Sequence, residues 1–240
     1  MPTFLGVLGG MGPLATADFL QKLVLKTHAA SDQEHVPILV YGDCTTPDRT
    51  ACLVADGISP LPQLIEGIRF LNKSGATAIS IPCNTSHHWA EELQAASDVP
   101  VIDIIKATTD QVARHKRGAK NVGVLSTYGT HQAGLYREVL QDAGYNVIEP
   151  TDEEFETLVS PAIAMTKASK LSEAEPIFHQ AALHLMDRGA EVIVLGCTEI
   201  PIGMAQQIRV DPSTFIDSTD ALVEATLDFF EEQMLHRVRR

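Results

Sequence analysis

The sequence predicts an α/β protein of two pseudo-symmetric domains, each a mainly parallel sheet flanked by helices. Three observations carry that expectation. Strand-like and helix-like patterns alternate along all 240 residues, as parallel strands covered by crossover helices require. One strand-helix unit occurs twice. Each copy sets a cysteine just past the carboxyl end of a strand, where open α/β sheets bind ligands.

The elements follow in order. The apolar run at 4–8 ends in glycines, and 16–28 reads as an amphipathic helix with Phe19, Leu20, Leu23 and Val24 on one face. A β-rich stretch at 36–41 leads into a loop through Pro47 and Asp48. A helix over 61–74 stops at Gly75, a C-cap, and a strand over 76–81 runs into Pro82 and the polar string Cys83-Asn84-Thr85-Ser86. The second half repeats the plan. Strand 122–125 precedes a helix over 130–143 that ends at Gly144, then Val147 and Ile148 form a short strand. A long helix over 171–188 stops at Gly189, and strand 191–195 enters Gly196-Cys197-Thr198-Glu199. A final helix spans 219–238.

The duplication is visible residue by residue. Gly6-Val7-Leu8-Gly9-Gly10-Met11-Gly12 is echoed by Gly123-Val124-Leu125-Ser126-Thr127-Tyr128-Gly129. The stretch 78–85 is echoed by 192–199. The offsets are 117 (6 to 123) and 114 (83 to 197). Two such copies facing each other set the thiols on opposite walls of one cleft.

Bulk composition narrows the function classes. A net charge of −13 repels phosphate backbones and anionic lipid, which argues against nucleic-acid and membrane binding. An acidic small-molecule ligand then needs local cations. No apolar stretch approaches the ~20 residues that span a bilayer. The first basic residue is Lys22, and Gly9, Gly10, Gly12 and Pro13 break the opening apolar run, so it reads as a strand entering a loop rather than a secretory signal. Cysteines at 44, 52, 83 and 197 contain no CxxC pair, which favours a reducing cytoplasm.

A lone cysteine is more often core filler than catalyst. Cys83 and Cys197 differ because both follow a strand and both precede hydrogen-bonding side chains. If each flank opens a helix, its amide dipoles favour thiolate over thiol. Inverting a carbon that bears hydrogen requires removing a proton from one face and returning one to the other, and two opposed thiols can exchange those roles. A disulfide is unexpected in a reducing compartment, and two thiols without a matched His pair make an incomplete zinc site, so no metal is expected. Gly9-Gly10-Met11-Gly12 lacks the phosphate-loop ending and spacing; its glycines allow close backbone approach to a small ligand. His87 and His88 read as surface or satisfied histidines. Arg49 lies in the loop after the second strand, on the cleft side, with a planar fork suited to a carboxylate. Lys167 by itself reads as a solvated helix charge. The acidic cluster at 152–156 and Arg237, Arg239 and Arg240 read as solvated surface. Cys44 and Cys52 are expected to be inert, with Cys44 near a cleft-facing loop.

These motifs together resemble the aspartate racemases of the aspartate/glutamate racemase superfamily. The resemblance spans nearly the whole chain: GVLGGMGPLAT at 6–16, PDRT at 47–50, PCNTSH at 82–87, GVLSTYGT at 123–130 and LGCTEIP at 195–201. It implies two domains with the active site in the interdomain cleft. One comprises 1–101 plus 215–240 and carries Cys83; the other comprises 102–214 and carries Cys197. It also implies a homodimer, no pyridoxal phosphate or other cofactor, and an amino acid as the small-molecule substrate. Cys83 and Cys197 correspond to the acid/base pair. Asn84, Thr85 and Thr198 correspond to contacts with the substrate carboxylate and amine, and Met11, Thr127 and Glu199 join them as substrate-binding residues. Arg49 and Lys167 correspond to a basic pair that recognises a side-chain carboxylate. Ser126 stands where alanine is common. Some relatives carry threonine in place of the first cysteine; this chain keeps both, which favours racemisation.

Two other readings stand beside aspartate racemisation. One is a racemase of broad or non-acidic specificity, or a related isomerase or decarboxylase. The other is a non-catalytic binding protein on a duplicated α/β scaffold, which has no use for matched thiols.

Overall fold

The computed structural model describes residues 3–115 and 118–238. Arg239 and Arg240 and the side chain of Arg237, expected on the solvated surface, lie outside the described residues.

Among the described residues, eight strands form two four-stranded parallel sheets. The first contains β1 (Leu5–Gly9), β2 (Ile38–Gly42), β3 (Ala78–Ser80) and β4 (Val101–Ile102) in the order β2-β1-β3-β4. The second contains β5 (Asn121–Ser126), β6 (Asn146–Ile148), β7 (Val192–Gly196) and β8 (Phe215–Asp217) in the order β6-β5-β7-β8. The two orders are the same, so the duplication read from sequence is a duplication of topology. One boundary differs from expectation. Phe215 to Asp217 pair with Ile193 to Leu195, which makes β8 an edge of the second sheet rather than part of the first unit. A three-residue strand is too short to show a period that assigns it to either.

The central strands of both sheets are buried on both faces, and the pleat decides what each residue meets. Leu5 and Val7 of β1 and Val192 and Val194 of β7 enter one core shared by the two halves. Their neighbours turn the other way: Leu8 and Ile79 into a core particular to the first sheet, Ile193 and Leu195 into one particular to the second. Double-sided burial is why the strands read as continuous apolar runs.

The helices cover these faces. In the first half they are α1 (Pro13–Lys26), α2 (Arg49–Val54), α3 (Leu61–Ser74), α4 (Ala90–Ala95) and α5 (Ile104–His115). The second half carries α6 (Tyr128–Gln132), α7 (Leu135–Asp142), α8 (Asp152–Glu154), α9 (Ser160–Lys167), α10 (Leu171–Asp187), α11 (Glu199–Gly203), α12 (Ala205–Val210) and α13 (Ser218–Val238). Among the described residues, no helix is long and apolar enough to cross a membrane.

Local chemistry explains where these helices differ from the sequence reading. The first begins at Pro13 rather than residue 16, because proline suits the first helical turn. Asp48 caps α2 by accepting from the Ala51 amide at 2.8 Å. Arg49 therefore opens a helix instead of lying in a loop. The single helix expected over 130–143 is two, separated at Gly134, whose φ of +68° ends α6 and redirects the chain into α7. The acidic cluster at 152–156 is only partly solvated. Glu154 closes a capping box with Thr151 and pairs with His184 and Arg188, while Asp152, Glu153 and Glu156 are exposed.

Candidate active site

The site is assembled from equivalent loops at the carboxyl ends of the central strands of both sheets. Met11 follows β1; Cys83, Asn84 and Thr85 follow β3; Thr127 follows β5; Cys197, Thr198 and Glu199 follow β7. These residues line one cleft together with Asp48, Arg49 and Thr50 at the start of α2 and Lys167 at the end of α9. All ten residues expected at the site therefore meet in one place. The cleft is closed down to about 10 Å³, room for roughly one water. Two wider cavities flank it, of about 260 and 200 Å³, and Asp48 and Lys167 border both.

The two thiols have different surroundings. Both are buried, but Cys197 Sγ donates to Glu199 Oε2 at 3.1 Å. Burial pushes the Cys197 thiol well up from its ordinary range, the Glu199 charge adds to that, and Lys167 only partly opposes it. The expectation that a following helix favours thiolate is thus overturned at Cys197. Helix α11 has five residues, and its dipole is outweighed by desolvation and an adjacent carboxylate. Glu199 Oε1 is itself buried without a protein partner.

Hydroxyls link the walls. Thr85 Oγ1 lies 2.9 Å from both Thr127 Oγ1 and Thr130 Oγ1, and those two are 3.0 Å apart. This triangle joins the turn after β3 to the start of α6. Thr198 Oγ1 donates across the cleft to Pro82 O at 3.4 Å. The Asn84 side chain, expected on the substrate, is held by protein. Its Oδ1 accepts from Tyr136 Oη, and its Nδ2 donates to Ser218 Oγ at 3.0 Å.

The basic pair is also more constrained than expected. Arg49 is buried and donates to Pro47 O at 3.1 Å, Thr46 O at 3.4 Å and Met11 O at 3.1 Å. Three of its five donors are therefore taken by backbone, which leaves Nε–H, without a protein partner, and one hydrogen of Nη2. Lys167 is the more open cation, 3.9 Å from Asp48 Oδ2.

Comparison with known proteins fits this geometry. The Asp/Glu/hydantoin racemase family model matches residues 8–226. The chain belongs to that family. Among solved structures, the Picrophilus torridus aspartate racemase superposes with a TM-score of 0.83 at 30% identity, over 94% of this chain and 93% of that one. The broad-specificity amino-acid racemase RacX of Bacillus subtilis is 28% identical over 232 residues, covering 94% of this chain and 97% of RacX. A glutamate racemase of Deinococcus radiodurans is 28% identical over 227 residues, covering 90% and 71%.

The remaining candidates of this racemase-family chain are structural or peripheral. His87 is satisfied, as expected. Its Nε2 accepts from the Ile104 amide at 3.3 Å, so Nδ1 carries the hydrogen given to Cys83 O at 2.9 Å. His88 is exposed. Gly10 allows a close approach of protein backbone, since a Cβ there would fall 2.5 Å from the Asp43 carbonyl carbon, and Gly10 and Gly12 also line the 260 Å³ cavity. Exposed Cys44 lines the 260 Å³ cavity, and Cys52 is half-buried; all four cysteines are free. No group of three His, Cys, Asp or Glu among the described residues is placed to hold a metal ion. Sequence reasoning missed Asp48, Thr130, Tyr136 and Ser218. Only Asp48 left a local signal, as an N-cap candidate ahead of Arg49.

Proposed function

We propose that this chain is a cofactor-independent racemase that interconverts the enantiomers of aspartate or a closely related acidic amino acid. The observation that carries the reading is the convergence of Cys83 and Cys197, from equivalent strands of two duplicated sheets, on one narrow cleft bordered by cations. One sulfur removes the α-proton and the other delivers a proton to the opposite face. Cys197 rests as a thiol and is the donor in the direction that Cys83 begins as base. The hydroxyls of Thr85, Thr127 and Thr198 are at hand to hold the α-carboxylate as charge develops. Lys167 and Arg49 Nε face the side-chain carboxylate. The closed cleft must open to admit substrate and then exclude water around the carbanion-like intermediate.

The test is deuterium incorporation at Cα in D2O, without added cofactor, across a panel of D- and L-amino acids. Inversion with exchange on acidic substrates is expected, and Cys83→Ala and Cys197→Ala should each abolish inversion. Near-wild-type racemisation by both single variants would refute the two-base scheme. Measurable ligand affinity with no exchange at all would support a binding protein instead.

A second reading, a broad-specificity racemase, is favoured by one observation. Three of the five Arg49 donors are committed to backbone carbonyls, which leaves weaker selection for a second carboxylate. The likeness to RacX supports the same reading. The amino-acid panel separates the two.

A further inference from the structure

We infer that Tyr136 is a positioning residue that fixes the two cysteine turns relative to each other. The inference rests on the two-thiol reading above.

Tyr136 lies on α7 and is 1% exposed. It touches the chain neighbours of both cysteines. Its hydroxyl donates to Asn84 Oδ1, on the residue that follows Cys83. Its ring packs over Gly196, the residue that precedes Cys197. A Cβ built at Gly196 would fall 2.6 Å from ring Cε2 and 2.9 Å from Cδ2, so the ring occupies the space a side chain would fill.

A second path closes the circuit. Asn84 Nδ2 donates to Ser218 Oγ at 3.0 Å, and Ser218 Oγ donates to Leu195 O at 2.8 Å, two residues before Cys197. Asn84 is thus held from two directions by groups anchored on the opposite turn. Burial raises the phenol so that it stays protonated and remains a donor to Asn84. Every polar atom in the circuit is buried, so a broken link finds no water to replace it.

The chemistry makes this spacing matter. Inversion requires the α-carbon to sit between two sulfurs, each within reach of one face, and displacement by about 1 Å is enough to lower a rate by two orders. When the far thiol is misplaced, the base that formed the intermediate can reprotonate it from the same side. The Cα–H bond then breaks and re-forms without inversion, and solvent deuterium enters through the thiol. A loosened circuit therefore raises exchange relative to inversion. A general loss of stability does not.

Tyr136→Phe removes the hydroxyl and keeps the ring. Gly196→Ala keeps the hydroxyl and displaces the ring. The experiment measures initial rates of α-deuterium incorporation and of inversion for the full chain, wild type and both variants, on an amino acid that the wild type turns over. Tyr136→Phe should remain folded with KM within about two-fold, lose about ten-fold in the kcat for inversion, and show a raised ratio of exchange to inversion. Gly196→Ala should raise the same ratio, and Tyr136→Phe should add little in an Asn84→Ala background. An active wild type with an unchanged ratio in both variants overturns this inference alone. A wild type that neither exchanges nor inverts any member of the panel overturns the two-thiol reading and takes this inference with it.

Discussion

Cys197 Sγ and Glu199 Oε2 are 3.1 Å apart, and the position equivalent to Glu199 in the other turn, two residues beyond Cys83, is Thr85. Duplication has given two thiols at matching places in two sheets, but only one of the two turns carries a carboxylate two residues on. The pair is symmetric in position and asymmetric in electrostatics. The two enantiomers have equal free energy in water, so kcat/KM must remain equal in the two directions. The asymmetry must therefore be sought in kcat, in exchange or in the thiols themselves.

Glu199→Gln should lower the Cys197 pKa, because it removes a negative charge that opposes thiolate formation. Desolvation, the larger cause, remains, so the shift is partial. Alkylation by a neutral iodoacetamide at pH 8, followed at the Cys197 peptide by mass spectrometry, should speed up as more of the thiol ionises. An unchanged rate would mean that burial alone holds the proton.

Arg49 and Lys167 should separate under mutation. Arg49 holds the carbonyls of Met11, Pro47 and Thr46, so Arg49→Ala should cost about 1–3 kcal/mol of stability through unsatisfied buried groups. It should lower kcat/KM for neutral substrates as well as for acidic ones. Lys167→Ala should leave stability nearly unchanged and impair aspartate and glutamate more than alanine. A selective acidic-substrate loss in Arg49→Ala, with an unchanged denaturation midpoint, would restore the carboxylate-fork role.

Asp48→Asn tests the pair that borders all three cavities. Asparagine can still accept from the Ala51 amide and cap α2, but it no longer attracts Lys167. Both side chains are largely exposed, so the pair itself contributes little stability. The expected result is an unchanged melting temperature and a lower KM for acidic substrates, whose carboxylate no longer competes with Asp48 for Lys167. A raised KM would assign Asp48 to substrate binding.

The sequence made the strands and the cysteine turns legible because both depend on local pattern. Apolar runs such as 192–195 are buried on both faces, and Gly75 ends its helix with a φ of +88° that favours glycine. What stayed hidden depends on distant partners. Nothing near Asn84 signals that its amide belongs to Tyr136 and Ser218, 52 and 134 residues away. Nothing near Arg49 signals that Met11, 38 residues earlier, takes one of its donors. The break at Gly134 leaves no clear local signal because glycine is tolerated within helices, and only its φ of +68° shows the turn. The resemblance places 215–217 with the first half, whereas β8 pairs with β7; the helix that follows, α13, packs against both α1 and α5.

The last prediction concerns how the halves are held together. Lys22 on α1 lies 2.6 Å from Asp18 on the same helix and 2.6 Å from Asp217 on β8, with the three side chains only 10–21% exposed. Burial disfavours its ammonium, but Asp217 and Asp18 outweigh that and hold Lys22 above the ordinary lysine range. A raised lysine contributes stability that is present below its unfolded pKa and lost as pH rises through the folded value, so this link persists throughout neutral pH. Burial also raises Asp18, with Lys22 opposing. A raised carboxyl favours the fold below its unfolded pKa, and that advantage fades as pH climbs through the folded value. Lys22→Met removes the opposing cation and strands two carboxylates beside each other. The variant should lose about 2–4 kcal/mol at pH 7, the range for removing one member of a buried ion pair. The loss should shrink at pH 4, where the raised Asp18 carboxyl takes up a proton. Urea midpoints of wild type and variant at the two pH values check this, and an equal deficit at both would show that Lys22 acts by packing its aliphatic stem rather than by charge.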